Sequence, residues 1–381
     1  MTAEDVLIAG AGIGGLTAAL ALHARGIRAT VIDGVTELRP LGVGINLLPR
    51  AVAALEHLGL ADVIGAAAAA PRILEFYDHR GRLLLREPRG LDGGYRRPQL
   101  SVHRGRLQTL LLAAVRDRLG PDAVRTGHRL LAFRESSDGV SVHTTARSLA
   151  ADALVGADGI HSAVRAQLHP TGDPLSWSGR TMFRGATRMP AFLDGRTMAI
   201  VKGPGVEVIT YPIGNGLVNW VVQVDAAPPG ALPRDANWNA RADPDTVVAH
   251  LAEFRLDWLD LPALVRGTEA VFEYPMVDRD PLPWWSDPDG HGRVTLLGDA
   301  AHPMYPVGAN GGSQAIIDGV ALADALARDR RNGLCDYESR RRAETATVVT
   351  ASRAMLAAGP SPDELAAVTA GYRRDTNADG S

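Results

Sequence analysis

The chain has 381 residues, of which 46% are hydrophobic and 22% are charged, and its formal net charge is −3 at pH 7. This composition is typical of a globular protein with a large core, and the small charge gives no electrostatic reason to expect a nucleic acid or an anionic membrane as a partner. Cys335 is the only cysteine, which excludes intramolecular disulfides and cysteine-ligated zinc, and we find no HExxH or other compact metal-ligand pattern.

The N-terminal segment predicts a parallel strand–helix–strand unit. Residues 5–12 (DVLIAGAG) are a short apolar run, typical of a strand buried on both faces. Residues 14–25 have a helical composition and stop before Gly26, and residues 28–33 (RATVID) predict the second strand. The apolar run follows acidic residues, unlike a signal peptide, and no other segment reaches the roughly 20 apolar residues of a membrane span. We therefore expect a cytoplasmic protein.

The turn between this strand and helix fits the GxGxxG pattern of dinucleotide-binding proteins. Gly10 turns the chain, Gly12 admits a pyrophosphate, and Gly15 lets helix and strand pack closely. Gly14 lies in the same turn, and we include it among the predicted cofactor-binding residues. Asp33 ends the second strand, where a carboxylate accepts hydrogen bonds from a ribose and repels a 2′-phosphate. The motif therefore favours FAD or NAD over NADP, but does not distinguish FAD from NAD.

A second motif lies in residues 152–165 (DALVGADGIHSAVR). An apolar strand leads to Asp158, Gly159 permits a positive φ, and a helix begins nearby. Taken alone, this pattern indicates an Asp-Gly turn that caps a helix. Its functional interest comes from the motifs that accompany it.

The middle of the chain has a different character. Alternating stretches at 197–203, 206–213 and 217–224 predict antiparallel strands between about 171 and 285, and segments 227–238 and 278–290 are loop-like. Further helices are predicted at 49–58, 104–118 and 313–328. We therefore predict an α/β fold with a discontinuous Rossmann-type domain, an inserted β-rich substrate domain and C-terminal helices. The predicted cofactor domain comprises 1–75, 100–170 and 285–365, the substrate domain 76–99 and 171–284, and a tail 366–381.

The third motif is residues 296–319 (LLGDAAHPMYPVGANGGSQAIIDG). Asp299 follows a buried strand, on the usual ligand side of an open α/β sheet, where a carboxylate could bind the hydroxyls of a ribityl chain. Pro306, Gly308, Gly311 and Gly312 would let backbone approach a flat ring. A helix that starts near Ser313 would direct free N–H groups at the flavin pyrimidine edge, which favours a reduced, anionic flavin. Taken alone, the stretch favours an ordinary long loop with a glycine-rich helix entry over a flavin site.

A competing serine-hydrolase motif is excluded because its residues do not occur in the required order. Residues 311–315 (GGSQA) nearly match the GxSxG nucleophile elbow, but a histidine must follow the serine, and His302 is the last in the chain. For His103, His161 and His302, which lie beside the three motifs, we favour structural, packed or hydrogen-bonded roles.

Together these motifs resemble the group A FAD-dependent aromatic monooxygenases of the para-hydroxybenzoate hydroxylase fold. The resemblance covers nearly the whole chain through GAGIGGL, RPLGVGIN, SVHRGRLQ, ALVGADGIHSAVR and the 296–319 stretch, in the family's order. Within the family, RPLGVGIN, YPMVDRDPLP and MYPVGANGGSQAI look most like a phenazine hydroxylase that acts on 5-methylphenazine-1-carboxylate.

The resemblance implies a set of cofactor contacts. Gly10, Gly12, Gly15 and Asp33 would hold the ADP half of FAD, and Arg104 the phosphate–ribityl region. Asp158 would serve both FAD and NADPH, and Asp299 the ribityl chain. Pro306 and residues 308–312 would lie beside the reactive edge of the flavin, and residues 41–45 along the isoalloxazine. Asp33 stands where glutamate is common in the family, and Ser313 where asparagine is common.

The resemblance also implies a reaction. NADPH or NADH would reduce FAD, O₂ would form a flavin C4a-hydroperoxide, and this would hydroxylate a phenazine-like or phenolic carboxylate, with or without loss of CO₂ and without a metal. The predicted pocket walls are Phe183, Tyr211, Trp220 and Tyr305. Tyr211 either activates a phenol or is a core tyrosine, and Pro306 is the second predicted catalytic residue. The predicted oligomeric state is a monomer or homodimer.

Alternative functions stay open at the level of sequence. A flavin-dependent epoxidase, halogenase or dehydrogenase of the same fold could carry the same motifs. An NAD-dependent dehydrogenase without flavin would need only the GxGxxG turn, with Asp158 and Asp299 as turn residues. A non-catalytic member would bind a flavin or ligand as a sensor.

Overall fold

The computed structural model describes residues 4–40, 42–232 and 240–357. Leu41, part of the 227–238 segment and the predicted tail 366–381 lie outside the described residues. The described helices are α1 (Ile13–Ala24), α2 (Pro49–His57), α3 (Ala61–Ala66), α4 (Arg104–Leu119), α5 (Ala163–Leu168), α6 (Pro244–Ala249), α7 (Leu261–Arg266), α8 (Asn310–Arg328) and α9 (Gly333–Ala357).

The described strands alternate with these helices in the N-terminal part and follow one another in the middle. They are β1 (Glu4–Ala9), β2 (Ala29–Ile32), β3 (Gly44–Leu47), β4 (Ile73–Asp78), β5 (Leu83–Pro88), β6 (Leu100–His103), β7 (Val124–Arg125), β8 (Leu130–Ser136), β9 (Gly139–Thr144), β10 (Ser148–Gly156), β11 (Ser176–Arg188), β12 (Thr197–Gly203), β13 (Val206–Pro212), β14 (Leu217–Asp225), β15 (Gly230–Ala231), β16 (Ala240–Arg241), β17 (Phe272–Asp278) and β18 (Val294–Leu296).

Seven of the described strands form the first sheet, in the order β7-β2-β1-β10-β9-β8, with β18 paired to β10. β2, β1, β10 and β18 run parallel to their neighbours in this group. β2 is buried at every position, as its continuous apolar sequence predicts, because helices and sheet enclose it. α1 packs against α8 on this sheet. The carboxyl ends of these parallel strands therefore form one edge.

Nine of the described strands form the second sheet, in the order β16-β17-β11-β14-β13-β12-β4-β5, with β15 paired to β11. One face, which we call the outer face, packs against α6 and α7 in an apolar cluster that includes Phe183, Val208, Trp220 and Val222. The opposite, inner face carries Arg184, Tyr211, Asn219 and Tyr274. It meets the first part of the chain through Asn219, whose Oδ1 accepts a hydrogen bond from the Gly44 N–H at 2.6 Å.

This architecture confirms the predicted fold class: a mixed α/β chain with a discontinuous cofactor domain, a β-rich sheet and C-terminal helices. Two boundaries differ from the prediction. The predicted boundary at residue 76 falls inside β4, which starts at Ile73 and belongs to the second sheet. α8 begins at Asn310 and not near Ser313, so the paired glycines that suggested a loop lie in its first turn.

No helix within the described ranges is long and apolar enough to cross a membrane. The same ranges contain no group of three or more His, Cys, Asp or Glu side chains arranged to hold a metal ion.

Candidate active site

The three sequence motifs meet at the carboxyl edge of the first sheet. β1 ends before Gly10, β10 ends before Asp158, and β18 ends before Asp299, and these three strands are neighbours. Gly10 has φ +114°, and a Cβ at this position would lie 2.3 Å from the carbonyl oxygen of Ala157. The dinucleotide turn and the Asp-Gly turn therefore touch, and only glycine fits between them.

The GxGxxG turn leaves an open cradle at the start of α1. Among the described residues, a Cβ added at Gly12 would meet no atom within 4 Å, and no side chain caps this helix end. Its first N–H groups are therefore available to a pyrophosphate. A Cβ at Gly15 would lie 2.0 Å from the Gly10 oxygen, so Gly15 serves close packing. A Cβ at Gly14 would lie 2.6 Å from the Leu297 Cδ2, so close packing explains the glycine at this position. A contact between Gly14 and the cofactor remains a prediction.

Asp33 lies beside this cradle, at the end of β2. Its Oδ2 accepts a hydrogen bond from the Ala11 N–H at 2.8 Å, and its Oδ1 accepts one from the Val35 N–H at 2.9 Å. Each carboxylate oxygen has a second acceptor site, so the side chain can also receive a ribose hydroxyl. The position fits the adenosine end of a dinucleotide, as the spacing from Gly12 predicts.

Asp158 acts as a helix cap in this structure. Its Oδ2 accepts a hydrogen bond from the Ala163 N–H at 2.8 Å, at the start of α5. Burial raises the pKa of the carboxyl group, against the hydrogen bonds that lower it. Its Oδ1 is buried without a hydrogen-bond partner in the described part of the chain. The capping interpretation is confirmed, and the role of Asp158 toward cofactor remains a prediction.

Asp299 differs from Asp158 because its side chain is exposed at the sheet edge. Gly311, in the first turn of α8, leaves space beside it, since a Cβ there would lie 3.8 Å from the Asp299 Oδ1. A Cβ on Gly312 would lie 2.5 Å from the Ile45 Cδ1, and one on Gly308 would lie 3.3 Å from the Met355 Cε. The lack of a side chain at Gly311 therefore leaves space beside the Asp299 carboxylate. The lack of a side chain at Gly312 and Gly308 makes room for the side chains of Ile45 and Met355.

The N-terminus of α8 lies at the same sheet edge, beside Asp299. Its N-cap, Ala309, has φ +60° and offers no side-chain oxygen to the helix N–H groups. The Ser313 hydroxyl donates to the Ala309 carbonyl and accepts from the Leu48 N–H, both at 3.0 Å, so it braces the loop around Leu48. The positive helix end therefore remains available to a ligand that bears negative charge, which it favours by about 0.3–1 kcal/mol.

Arg104 and Pro306 are two further predicted site residues, and both are exposed. Arg104 is exposed at the start of α4, and a Cβ on Gly42 would lie 3.5 Å from its Cδ. Pro306 is exposed in the turn before α8. These positions are compatible with the implied contacts to the cofactor, and the contacts themselves remain predictions.

The inner face of the second sheet supplies the opposite wall. Tyr211 pairs in register with Asn219, and Met182 pairs with Tyr274, so these side chains share one face. The Arg184 guanidinium carbon lies 5.4 Å from the centre of the Tyr274 ring. Burial lowers the pKa of Arg184 to about 10, and the charge of Arg104 adds to this shift, so Arg184 is protonated at neutral pH.

Two residues that were predicted to line the pocket lie on the outer face of the second sheet. Phe183 pairs with Val222, and Trp220 pairs with Gly185 and Thr210, which places both rings on the outer face. Trp220 is fully buried, and its indole nitrogen donates to the Thr187 hydroxyl at 3.2 Å. Phe183 and Trp220 are therefore core residues of the outer cluster and do not line a pocket on the inner face.

Tyr305, another predicted pocket wall, is also buried, in an apolar cluster with residues of the inner face. It packs with Met182, Tyr274 and Met276, and its hydroxyl interacts with Ser176 and Asp278. Burial is the main cause that raises its pKa. The side chain thus connects the turn before α8 to the second sheet, and a contact with substrate remains a prediction.

One substitution on each face of the second sheet, at Phe183 and at Tyr211, tests this assignment of faces. Phe183→Leu should lower the free energy of unfolding by about 1 kcal/mol and leave KM for the aromatic substrate unchanged, because its ring lies behind the sheet. Tyr211→Phe should leave stability nearly unchanged and lower kcat/KM, since it removes only a hydroxyl on the inner face. Chemical denaturation and steady-state kinetics measure both. An equal effect of the two substitutions on KM would contradict the assignment of faces.

Sequence analysis missed Asn219, Arg184 and Tyr274. The signal available was the two-residue period of a strand, which places Trp220 and Asn219 on opposite faces of β14. Both faces of this strand are largely buried, so apolar content alone did not show which face meets the cofactor domain. By contrast, His302 is buried and hydrogen-bonded, which confirms its predicted structural role.

Known proteins are similar to this chain in sequence and in overall fold. A family model described as "FAD binding domain" matches residues 3–252 and 286–352. The chain is 48% identical to the phenazine 1,6-dicarboxylic acid hydroxylase PhzS of Lysobacter antibioticus, over 98% of this chain and 97% of that protein. It is 34% identical to 3-hydroxybenzoate 6-hydroxylase 1 of Aquipseudomonas alcaligenes, over 92% and 88%. The crystal structure of Klebsiella pneumoniae HpxO with FAD and uric acid has a TM-score of 0.79 at 26% identity, over 97% and 92% of the two chains.

Proposed function

This chain belongs to the FAD-dependent aromatic hydroxylases of the para-hydroxybenzoate hydroxylase fold, and from that premise we propose that it hydroxylates a phenazine-like or phenolic carboxylate. The co-substrates are NADPH or NADH and O₂. The coenzyme supplies two electrons, one oxygen atom enters the ring product, and the other leaves as water. Where hydroxyl replaces a ring carboxylate, CO₂ is released as well.

One observation carries the proposal: the sheet edge that bears Gly10, Asp158 and Asp299 adjoins an inner sheet face that bears Tyr211, Tyr274 and the half-buried Arg184. The Gly12 cradle fits the pyrophosphate of FAD and the exposed Asp299 fits its ribityl chain, and FAD supplies the activation of oxygen when bound. Arg184 offers positive charge on this face, whose apolar clusters include the buried side chains of Tyr211 and Tyr274. This combination suits an aromatic anion. The likeness to PhzS over nearly the whole chain supports a phenazine carboxylate.

Tyr211 contributes as a neutral hydrogen-bond donor. Burial raises its pKa well above 10, although the charge of Arg184 opposes this shift. Its hydroxyl therefore keeps its proton throughout the neutral range. It can orient a ring substituent by donating to it, but it does not act as a phenolate base.

The experiment is a substrate panel. The purified protein with added FAD is incubated with NADPH or NADH and a set of phenazine carboxylates and phenolic acids. Mass spectrometry should detect one added oxygen, or hydroxyl in place of carboxylate, in at least one of them. Coenzyme oxidation that is the same with every aromatic compound tested, and no oxygenated product, would contradict the proposed substrate class.

Arg184→Met should separate charged from neutral substrates. A hydrogen bond to a charged group contributes about 1.5–3 kcal/mol, so we expect kcat/KM for the carboxylate to fall roughly 10- to 100-fold, mainly through KM. The matching carboxamide should lose less than about threefold, because it lacks the charge. Arg188→Met is the control, since Arg188 is exposed on the same strand and donates to the Asn215 carbonyl. Equal losses for carboxylate and carboxamide would refute this role.

A further inference from the structure

A cluster of buried charged and polar groups lies directly beneath the turn that carries Asp299. It consists of Asp318, His302, Arg341 and Gln314, and we call it the Asp318 cluster. These residues are between 0% and 3% exposed. Such burial of charge is costly unless every group is paired, so the arrangement calls for an explanation beyond packing.

Asp318 contacts both ends of the turn at 298–302 through one carboxylate oxygen. Its Oδ2 accepts a hydrogen bond from the Gly298 N–H at 3.0 Å and lies 2.6 Å from the Nε2 of His302. Gly298 has φ +62°, a conformation that favours glycine, and Asp299 follows it. One carboxylate oxygen therefore fixes the residue before Asp299 and the residue three positions after it.

The second oxygen of Asp318 anchors this turn to the C-terminal helix. Oδ1 accepts from the Arg341 Nε at 2.7 Å, and the Arg341 Nη2 donates to the Gln314 Oε1 at 2.5 Å. Gln314 belongs to the N-terminal part of α8, next to the glycines of its first turn. The cluster thus connects α9, the N-terminal part of α8 and the turn at 298–302.

The charge of Asp318 is maintained in spite of its burial. Burial alone would raise its pKa, but the neighbouring His302 and Arg341 outweigh that effect and hold the pKa at about 2. Asp318 is therefore a carboxylate at neutral pH, where it accepts all three hydrogen bonds. An amide in its place has only one oxygen acceptor and introduces an N–H₂ group that faces existing donors.

We propose that Asp318 is a positioning residue for FAD: through Gly298 and His302 it fixes the direction of Asp299, so that this carboxylate is already placed to receive the ribityl hydroxyls. The inference rests on the proposed function, because it requires Asp299 to bind the sugar chain of FAD. Preorganisation raises affinity because the ordering cost is not incurred on binding. A merely structural cluster would stabilise the fold and leave the affinity of folded protein for FAD unchanged.

A double-mutant cycle separates these two roles. Equilibrium titration of the full-length apoprotein with FAD gives Kd for wild type, Asp318→Asn, Asp299→Ala and the double variant. We expect Asp318→Asn and Asp299→Ala each to weaken binding at least tenfold. In the double variant Asp318→Asn should add less than about threefold to the loss, because residues that act through one another are not additive.

Control variants distinguish a specific effect on FAD affinity from a general loss of stability. Asp324→Asn alters another α8 carboxylate, which pairs with Arg25 at 2.6 Å near the surface, and it should leave Kd unchanged. If Asp318→Asn does not fold, His302→Phe removes one partner while Arg341 still neutralises Asp318, and the same cycle with Asp299→Ala applies. The near-ultraviolet and visible circular dichroism of bound flavin should change in Asp318→Asn and not in Asp324→Asn.

The outcomes are distinct. Additive losses, or an unchanged Kd in Asp318→Asn, would overturn the positioning role while the proposed function stands. Wild-type affinity in Asp299→Ala would overturn both the ribityl assignment and this inference. Failure of the wild-type protein to bind FAD at all would refute the proposed function itself.

Discussion

A Gly12→Ala variant should fold like the wild type and bind FAD roughly 100-fold more weakly, a loss of about 2.7 kcal/mol. Gly12 has φ −75° and ψ −176°, which alanine adopts without strain, and a Cβ there would lie more than 4 Å from every atom in the part of the chain that the structure describes. The added methyl group would instead occupy the space through which the pyrophosphate approaches the N-terminus of α1. Loss of glycine at the N-cap should lower the free energy of unfolding by no more than about 1 kcal/mol.

Gly15→Ala provides the matched comparison. Its Cβ would lie 2.0 Å from the Gly10 oxygen, so this variant should destabilise the apoprotein directly. Thermal unfolding without cofactor, followed by FAD titration of whatever remains folded, separates the two effects. Unchanged FAD affinity in Gly12→Ala would mean that the cradle at α1 does not bind the pyrophosphate.

Arg165→Met should lower the free energy of unfolding by about 2–3 kcal/mol, because it removes the buried donor to two backbone carbonyls and leaves Asp173 with Arg279 as its remaining arginine partner, at 3.2 Å. Arg165 is 2% exposed, on α5 of the Asp-Gly motif. It forms an ion pair with Asp173, and its Nη1 donates to the carbonyls of Ala300 and Ala301 at 3.1 and 2.8 Å. The variant leaves Asp173 and these carbonyl groups without that partner, next to the turn that carries Asp299.

Arg180→Met is the control for this prediction. Arg180 and Asp225 form an ion pair at 2.7 Å whose side chains are 25% and 54% exposed. Solvent screens such a pair, and its loss should cost no more than about 1 kcal/mol. Denaturant unfolding monitored by tryptophan fluorescence measures both variants, and equal losses would show that the buried position of Arg165 confers no special stability.

The cofactor edge could be predicted from sequence because its signals are local. The glycines at 10, 12 and 15 sit between an apolar strand and a helix, and the carboxyl ends of parallel strands meet by rule at one edge. Asp33, Asp158 and Asp299 each follow such a strand directly, so their placement at this edge needed no knowledge of tertiary contacts.

The substrate side could not be predicted in the same way. β14 is largely buried on both faces and β11 alternates between buried and half-buried positions, so the aromatic character of Phe183 and Trp220 did not reveal their direction. Whether a strand face meets the cofactor domain depends on contacts such as that between Asn219 and Gly44, which are 175 positions apart. The partners of Asp318 are likewise 16 to 23 positions away, on other elements.

The first residue of α8 could not be predicted from the sequence either. Paired glycines and a nearby proline usually indicate a loop, yet the helix begins at Asn310 and includes Gly311 and Gly312. Helix propensity is a weak local preference that tertiary packing overrides. Here Ile45 occupies the space that a side chain at 312 would need, and Asp299 lies beside 311.

Binding of FAD by the purified full-length chain is the most direct test of the account. Apoprotein mixed with excess FAD and then freed of unbound flavin by gel filtration should retain one flavin per chain, with a yellow absorbance spectrum altered from that of free FAD. A chain that emerges colourless after this treatment, while circular dichroism shows it to be folded, would contradict the assignment of the sheet edge as a flavin site.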